Sequence, residues 1–484
     1  MSNVDDYIEK VVRLGDQGSA LLAQLCAPTL RNSDLVRVIE DGMNGVAVLQ
    51  IPQDHFGVVW AGSGPADEYE VGRHAARLVD RLFSRYISVT PLAFADVVDS
   101  ATGDTAMLTE IGEALVERAN HYGLAILNGE NAILGDRITR QANVSATMIG
   151  MVPKDRAKVG LTIDAGQPVA VFDPRGKPIY LNSDGVGTKT ELYERAGEEF
   201  MPLALEDSLA MKRDDSAKRA ATVHVVADVV ETRGSIPISA LVLRAERLAG
   251  NSFAYLLHHE PMDDRLQGYA PNAPAYNISG TAVSTIDEEK LRNPPTPQPG
   301  DTLIAVTGPA NPRSNGISSK RRIMTRVFGA EWHKDPRAAG LLGYLTTPST
   351  MLYPLFHELA ERNLASGYFH MSGGAFKGKL ARPLAKYGLF ANMEGIFPPN
   401  WQDYFFAGAQ YAPAEVAYAQ WPMGNDGFVT TAEPDEVIGM IRTRGHHARV
   451  VSKLEKATDG RTGIELVGVK GSNGQNVYYS GKAA

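Results

Sequence analysis

The chain has 484 residues and one cysteine, Cys26. A lone thiol excludes an internal disulfide framework and a cysteine-rich metal site. No stretch approaches the ~18 consecutive apolar residues of a membrane-spanning helix. The opening MSNVDDYIEKVV is acidic and has no apolar signal core. A long basic run is missing too, and the formal net charge of -8 argues against a nucleic-acid footprint. The expectation is a cytoplasmic protein with neither a nucleic-acid nor a membrane partner. What the chain does have is 47 glycines and 28 prolines, hence many turns, and enough length for two or three domains with proper cores.

Residues 1 to 48 read as helix and loop without obvious chemistry. From about 49 to 160, strand-like and helix-like segments alternate: IPQDHFGVVWAG, EVGRHAARLVDRLFSRY, PLAFADVV, LTEIGEALVERANHYG, AILNGEN, NVSATMIGMV. The same order returns downstream. NSDGVGTK closes a strand, LALEDSLAMKRDDSAKR is helical, and VHVVADVV, ISALVLRAERLAG, FAYLLHHE and YNISGTAVSTI follow. Ala95-Asp96-Val97-Val98 matches Ala227-Asp228-Val229-Val230 at a spacing of 132, and Asn143 and Asn277 are 134 apart. Glu130 and Glu260, each in a polar loop after a strand, are 130 apart. These offsets predict an internal duplication whose two sheets bury their apolar faces against each other. The competing account is an altered strand order in which the early segment supplies missing strands. A linker with four prolines, Glu288 to Asp301, ends this part. The boundaries expected are 1–160 for a degenerate copy with a helical extension, 161–295 for the copy with the NSDGVGTK loop, and 296–484 for a further α+β domain.

The chemistry-bearing residues begin at Asp184. In DGVGTK, Gly185 and Gly187 let the backbone approach a ligand, and Thr188 and Lys189 add a hydroxyl and a point charge, which together suit an anion. Asp184 has the wrong sign for a phosphate unless a cation such as Mg2+ lies between. The spacing is neither that of a P-loop nor that of a dinucleotide fingerprint, so a plain turn is the alternative. Asp207, Asp214 and Asp215 share one helix, where acids are most often a solvated face. Asp228 sits among valines, and a buried carboxylate needs a partner or a metal. His258 and His259 beside Glu260 invite zinc, but adjacent strand side chains point to opposite faces. In the last domain, Arg313, Ser314, Asn315 and Gly316 precede a helix, and His370 leads into Ser372, Gly373, Gly374, Lys377 and Lys379. Both loops suit a substrate phosphate, or are ordinary capped turns.

Together these segments resemble the phosphoribosylformylglycinamidine cyclo-ligase family, the aminoimidazole ribonucleotide synthetases. DGVGTK is matched in full, Asp214-Asp215 stands at the helix end, Asp228 at the strand, and Ser314-Asn315-Gly316 in the Ser-Asn-Gly element. HMSGGAFKGKLAR resembles the glycine-rich loop and QWPMGNDGFVTTAEPDEV the closing strand and helix. The resemblance covers residues 165 to 455, with a weaker copy over 50 to 155. It implies an α+β, aminoimidazole ribonucleotide synthetase-like fold with duplicated half-barrel domains before an α+β C-terminal domain. It also implies ATP and Mg2+ as cofactors and a phosphoribosyl-type small molecule whose amide oxygen is phosphorylated before ring closure. On this reading Asp184, Gly185, Gly187, Thr188, Lys189, Asn315 and Gly316 bind nucleotide. Arg313, Ser314, Ser372, Gly373, Gly374 and Lys377 bind substrate, and Lys189, Asp228 and His370 serve catalysis. Asp184, Asp215 and Asp228, with Glu130 or Glu260, hold the metal. The departures are Arg313 where histidine is usual, His258-His259-Glu260 without the family's paired glycines, and WAGSGPADE in place of an upstream DGVGTK. They leave open an inactive scaffold or regulatory homologue, beside a selenide-, thiamine-phosphate- or hydrogenase-maturation-type relative. A pseudo-dimer inside one chain would still permit a homodimer.

Overall fold

The computed structural model describes residues 4–39, 46–65, 67–86, 88–164, 167–408, 411–458 and 460–481. It divides into two compact units. The larger comprises Arg13–Ser216 and Ala221–Arg292, and the other Asn293–Ala484 with two short segments ending at Val12 and Ala220.

The larger unit holds two six-stranded sheets. Its first strands are β1 (Val36–Ile39), β2 (Val46–Leu49), β3 (His55–Ser63), β4 (Thr90–Ser100), β5 (Ala125–Ile133) and β6 (Ala142–Pro153). Then come β7 (Gly160–Asp164), β8 (Gln167–Phe172), β9 (Ile179–Gly185), β10 (Thr222–Arg233), β11 (Ala254–Pro261) and β12 (Ala275–Thr285). One sheet runs β7-β8-β3-β6-β4-β5 and the other β1-β2-β9-β12-β10-β11. Position by position the pairings agree: β4 is antiparallel to β6 and parallel to β5, as β10 is to β12 and β11. The duplication is therefore present in the fold.

The hairpins are exchanged along the chain. The early β1–β2 pair completes the second sheet through Leu49–Ile179, and β7–β8, which lies between the copies, completes the first. Val36–Ile39 and Val46–Leu49 are thus strands, where helix and loop were expected. The first sheet reaches Phe172, beyond the boundary expected at 160. Two like halves and an early segment donating strands both hold.

Inner faces of small and branched residues meet in a shared core that includes Val59, Ala93, Ala95, Ile149, Leu181, Val225, Ala227 and Val283. Helices α1 (Val4–Cys26), α2 (Val71–Phe83) and α3 (Thr105–Tyr122) cover the first sheet's outer face, burying Leu22, Leu78, Leu82, Leu108 and Leu115. α3 starts where Asp104 caps the Ala106 N–H and stops at Gly123, in the left-handed region at φ 69°. The second half adds α4 (Thr190–Ala196), α5 (Ala204–Ala217) and α6 (Ile238–Ala249).

Pairs of equivalent residues mark a pseudo-twofold axis. Ser145 and Ser279 face each other with their hydroxyls 2.7 Å apart. Thr139 donates its N–H to the Arg265 carbonyl and Gln267 donates to that of Arg137, both at 2.9 Å. The strand register also corrects one pairing read from the sequence. Val97 lies beside Glu130 and its twin Val229 beside His258, so Glu130 corresponds to His258, and Glu260 to Ala132. A bulge between Phe94 and Ala95, which the β10–β11 pair lacks, accounts for one residue of this two-residue shift. Both acids lie within edge strands rather than in loops.

In the other unit, after α7 (Glu288–Arg292), one sheet joins β13 (Thr302–Thr307), β14 (Gly367–His370), β16 (Gly427–Thr431) and β17 (His447–Lys453) in the order β14-β16-β13-β17. A second joins β15 (Leu389–Met393), β18 (Glu455–Lys456), β19 (Gly463–Lys470) and β20 (Asn476–Tyr479). The loop after β13 leads into α8 (Ile317–Phe328).

Candidate functional site

In the larger unit the DGVGTK stretch ends β9, a strand inside its sheet, and turns through a short helical segment into α4. Asp184 and Gly185 are half-buried, and the Asp184 Oδ1 accepts the Gly185 N–H at 2.7 Å. Gly187 takes φ 66°, and open space lies where a side chain would stand, so a ligand can reach the backbone there. Thr188 is buried. Across the pseudo-dyad, β5 packs against β9, and the Ser183 N–H is bonded to the Asn128 Oδ1 at 2.9 Å. Glu130, two residues beyond Asn128 on that edge strand, thus belongs to the strand that borders the turn. The matching place in the first half has no acid: by register, Gly62 stands where Asp184 stands, because Ser145 pairs with Ser63 and Ser279 with Gly185.

Glu260 lies near that Gly62 position, since its partner Arg81 also donates to the Ser63 carbonyl. It is held by Arg81 at 3.3 Å and His258 at 3.1 Å. Burial opposes its ionisation, but the His258 hydrogen bond and the Arg81 charge prevail and keep it below the usual carboxylate range. His259 turns the other way, to Thr232 at 2.8 Å. The two histidines therefore do not face one ion.

Several residues expected at the phosphates turn inward. Lys189 is fully buried and paired with Asp207 at 2.9 Å, and Tyr193 bonds the same carboxylate at 2.5 Å. The Asp207–Asp214 face of α5 is buried rather than solvated, and Asp215 is half-buried. Asp228 is also sealed. Lys212 reaches its Oδ1 at 2.5 Å, while Ser208 and Tyr255 donate to its Oδ2 at 2.9 and 2.7 Å. A carboxylate saturated in this way is a structural ion pair, which corrects its place among the open metal ligands. Among the described residues no group of three or more His, Cys, Asp or Glu is placed to hold a metal. The five acids Asp184, Asp215, Asp228, Glu130 and Glu260 are thus not brought together. Mg2+ bound with a nucleotide needs one or two carboxylates, the phosphates supplying other ligands. Asp184 stands in the turn, and Glu130 on the strand that packs against β9.

The second unit gathers the other predicted residues. Arg313, only 2% exposed, donates to the Thr350 carbonyl and approaches His370 Nδ1 at 3.2 Å. Asn315 donates to the Ser372 carbonyl at 2.7 Å, and Ser372 Oγ lies 3.4 Å from His370 Nε2. Arg313, Ser314 and Gly316 hold φ of 52°, 48° and 62°, and Gly374 and Ala375 hold 85° and 36°. Left-handed backbone at residues other than glycine stores strain and collects at ligand sites. Past Gly374, a π-helical turn spans Phe376–Ala381 and runs straight into a short α-helix, Arg382–Lys386, with Gly373 and Lys377 exposed. Asp426 was not singled out from the sequence, yet it organises the loop. Its Oδ2 accepts the Gly308 N–H at 2.7 Å and its Oδ1 the Asn311 amide at 3.0 Å. The signal available was GND ahead of an apolar strand.

A cleft of about 790 Å3, lined by Phe172, Arg175, Lys177, His224, Phe253 and Thr285 among others, lies elsewhere. Thr285 pairs with Ile179, at the end of β9 opposite the turn. Burial, with the charges of Arg175 and Lys177, lowers the His224 pKa to about 4.

The described chain is thus a duplicated α+β protein with a glycine-lysine turn at one seam and a strained polar loop cluster in a separate unit. In sequence it is similar to phosphoribosylformylglycinamidine cyclo-ligases. That of Synechococcus sp. strain CC9605 is 26% identical over 300 residues, 60% of this chain and 84% of the relative. That of strain RCC307 is 30% identical over 240 residues, 47% of this chain and 65% of the relative. The Pyrococcus furiosus enzyme is 24% identical over 253 residues, 50% and 70% of the two chains. No family model matches. Among solved structures, PurL of T. maritima complexed with FGAR aligns with a TM-score of 0.39 at 12% identity, over 67% of this chain and 47% of that one. The hydrogenase maturation protein HypE of E. coli aligns at 0.38 and 12%, over 63% and 86%. This chain spans less than half of that PurL. No helix among the described residues is long and apolar enough to cross a membrane.

Proposed function

We propose that the chain binds ATP with Mg2+ at the Asp184–Lys189 turn and phosphorylates an amide-type oxygen of a phosphoribosyl-bearing small molecule. The reaction in view is the cyclo-ligase conversion of formylglycinamidine ribonucleotide to aminoimidazole ribonucleotide. The observation that carries this reading is the intact DGVGTK turn, open at Gly187 and bordered by the strand of Glu130. The likeness to cyclo-ligases over 84% of one relative supports it. When bound, Mg2+ supplies positive charge to the phosphates, with Asp184 and Glu130 as the residues to hold it. The backbone at Gly185–Thr188 positions the phosphates, and the Lys189–Asp207–Tyr193 cluster fixes the turn from beneath. In the second unit, Arg313 and Asn315 order the loop before α8, and the exposed Gly373 and Lys377 offer an N–H and a cation to a substrate phosphate. Phosphoryl transfer depends on such positioning and charge more than on a covalent nucleophile. Phosphate release that requires both ATP and formylglycinamidine ribonucleotide tests the proposal, and its absence at high enzyme concentration overturns the catalytic part.

One set of observations favours a second reading, a nucleotide-binding homologue without turnover. Lys189 and Asp228 are both neutralised inside the protein. Nucleotide bound stoichiometrically but never hydrolysed would establish it.

A further inference from the structure

On the pseudo-twofold axis lies a polar cluster that plays no part in the proposed reaction. It consists of two equivalent pairs, Asp99 with Glu231 and Asn143 with Asn277, and all four residues are at most 2% exposed. Asp99 pairs with Asn143 across β4 and β6, and Glu231 with Asn277 across β10 and β12, so each half contributes one acid and one amide. Asn277 Nδ2 donates to Asp99 Oδ2 at 2.7 Å and to Glu231 Oε2 at 3.0 Å, and Asn143 Nδ2 donates to the same Glu231 oxygen at 3.2 Å. Ser63 donates to Glu231 Oε1.

Three oxygens remain without a donor: Asp99 Oδ1, Asn143 Oδ1 and Asn277 Oδ1. Each is an acceptor: the Asn277 amide is held by both Asp99 and Glu231, the Asn143 amide by Glu231, and the Asp99 carboxylate by Asn277. Turning either amide over would set its carbonyl oxygen against a carboxylate, so the donors fix the orientation. A buried acceptor without a partner is costly, and three together are rare. The charges are unbalanced as well. Arg265 offsets part of the Glu231 charge, whereas Asp99 feels Glu231 and Asp184, both negative. A buried water could donate to two of these oxygens at most and would leave the two negative charges unbalanced. A divalent cation takes such oxygens as ligands and balances both charges.

We propose that Asp99, Asn143, Glu231 and Asn277 hold a hard, oxygen-preferring divalent cation on the pseudo-twofold axis, tying the two halves of the unit together. Two carboxylates and two amide carbonyls are the ligand types that Ca2+ and Mg2+ take, and two negative charges match one divalent ion. The site adjoins the nucleotide turn, Asp99 Oδ1 lying 3.8 Å from where a Gly185 side chain would begin, but its ligands are all protein oxygens, whereas the nucleotide's Mg2+ needs the phosphates for part of its shell.

The experiment uses the full chain, free of nucleotide, with Mn2+ as the probe. Equilibrium dialysis should retain one tightly held Mn2+ per chain in wild type, still present in Asp184→Asn and lost in Asp99→Asn and Glu231→Gln. These replacements are nearly isosteric, and far-UV circular dichroism checks that the variants fold. Anomalous diffraction from Mn2+-soaked crystals should place the ion within bonding distance of Asn143 and Asn277. No Mn2+ bound to the nucleotide-free wild type overturns the proposal, leaving a proton shared by Asp99 and Glu231. Equal binding by Asp99→Asn also overturns it. Loss of Mn2+ in Asp184→Asn alone assigns the ion to the nucleotide turn and overturns the separate site, without touching the proposed phosphoryl transfer.

Discussion

Asp184 and Lys189 are five positions apart in one motif, yet they have opposite surroundings. Asp184 is half-buried at the mouth of the turn, and Lys189 is sealed against Asp207. Replacing Asp184 by Asn removes one negative charge with almost no change of shape. It should weaken ATP in Mg2+ by about tenfold or more, about 1.4 kcal/mol, with the urea midpoint little moved. Lys189→Met should act first on stability, because it leaves the Asp207 charge buried without its partner. A loss of roughly 3–5 kcal/mol is expected for breaking such a pair, read by urea denaturation. If Lys189→Met keeps its stability and loses only nucleotide affinity, the lysine is a phosphate ligand after all. The sequence showed the residue types of this site clearly. It could not show which charges are already neutralised, because Lys212–Asp228 and Lys189–Asp207 are made by the packing of α5 on the sheet and on the turn before α4.

At the scale of elements, the succession of the repeated helices and strands was legible from its rhythm, and register was not. A bulge beside Ala95 supplies one residue of the two-residue shift that sets Glu130 opposite Val97 and makes it the counterpart of His258. Spacing alone, which pairs Glu130 with Glu260, does not reveal a bulge. The consequence is testable: Glu130→Gln should weaken Mg2+–ATP about tenfold in calorimetry, with Asp184→Asn as the reference. Glu260→Gln should leave nucleotide affinity unchanged and cost no more than about 1 kcal/mol, since its partner Arg81 is partly exposed. The same strands carry a pH signature. Asp96 lacks the lysine that its twin Asp228 has, and burial raises its pKa from 3.8 to about 7. The folded state then holds a proton that the unfolded chain has released, so this contribution is full below pH 4 and is lost as pH rises towards 7. Asp96→Asn should leave stability at pH 4 nearly unchanged and raise it at pH 8 by up to roughly 4 kcal/mol. Denaturant curves at the two pH values check both the sign and the window.

For the whole molecule, the repeat offsets foretold two like halves, and the structure joins them in one chain through exchanged hairpins and a common core. The exchange was not legible, because short strands such as β1 and β2 carry too few residues for their period to stand out. Duplication let the halves diverge. One kept Asp184 at the end of its strand, and the other has Gly62 there, with Arg81 and Glu260 paired nearby. A chain built this way should present one nucleotide turn where a symmetric pair would present two. Isothermal titration of the full chain with ATP in excess Mg2+ addresses that claim most directly. The account expects one nucleotide bound per chain, with the heat lost or strongly reduced in Asp184→Asn. No binding at millimolar ATP, or two equal sites per chain, would contradict it.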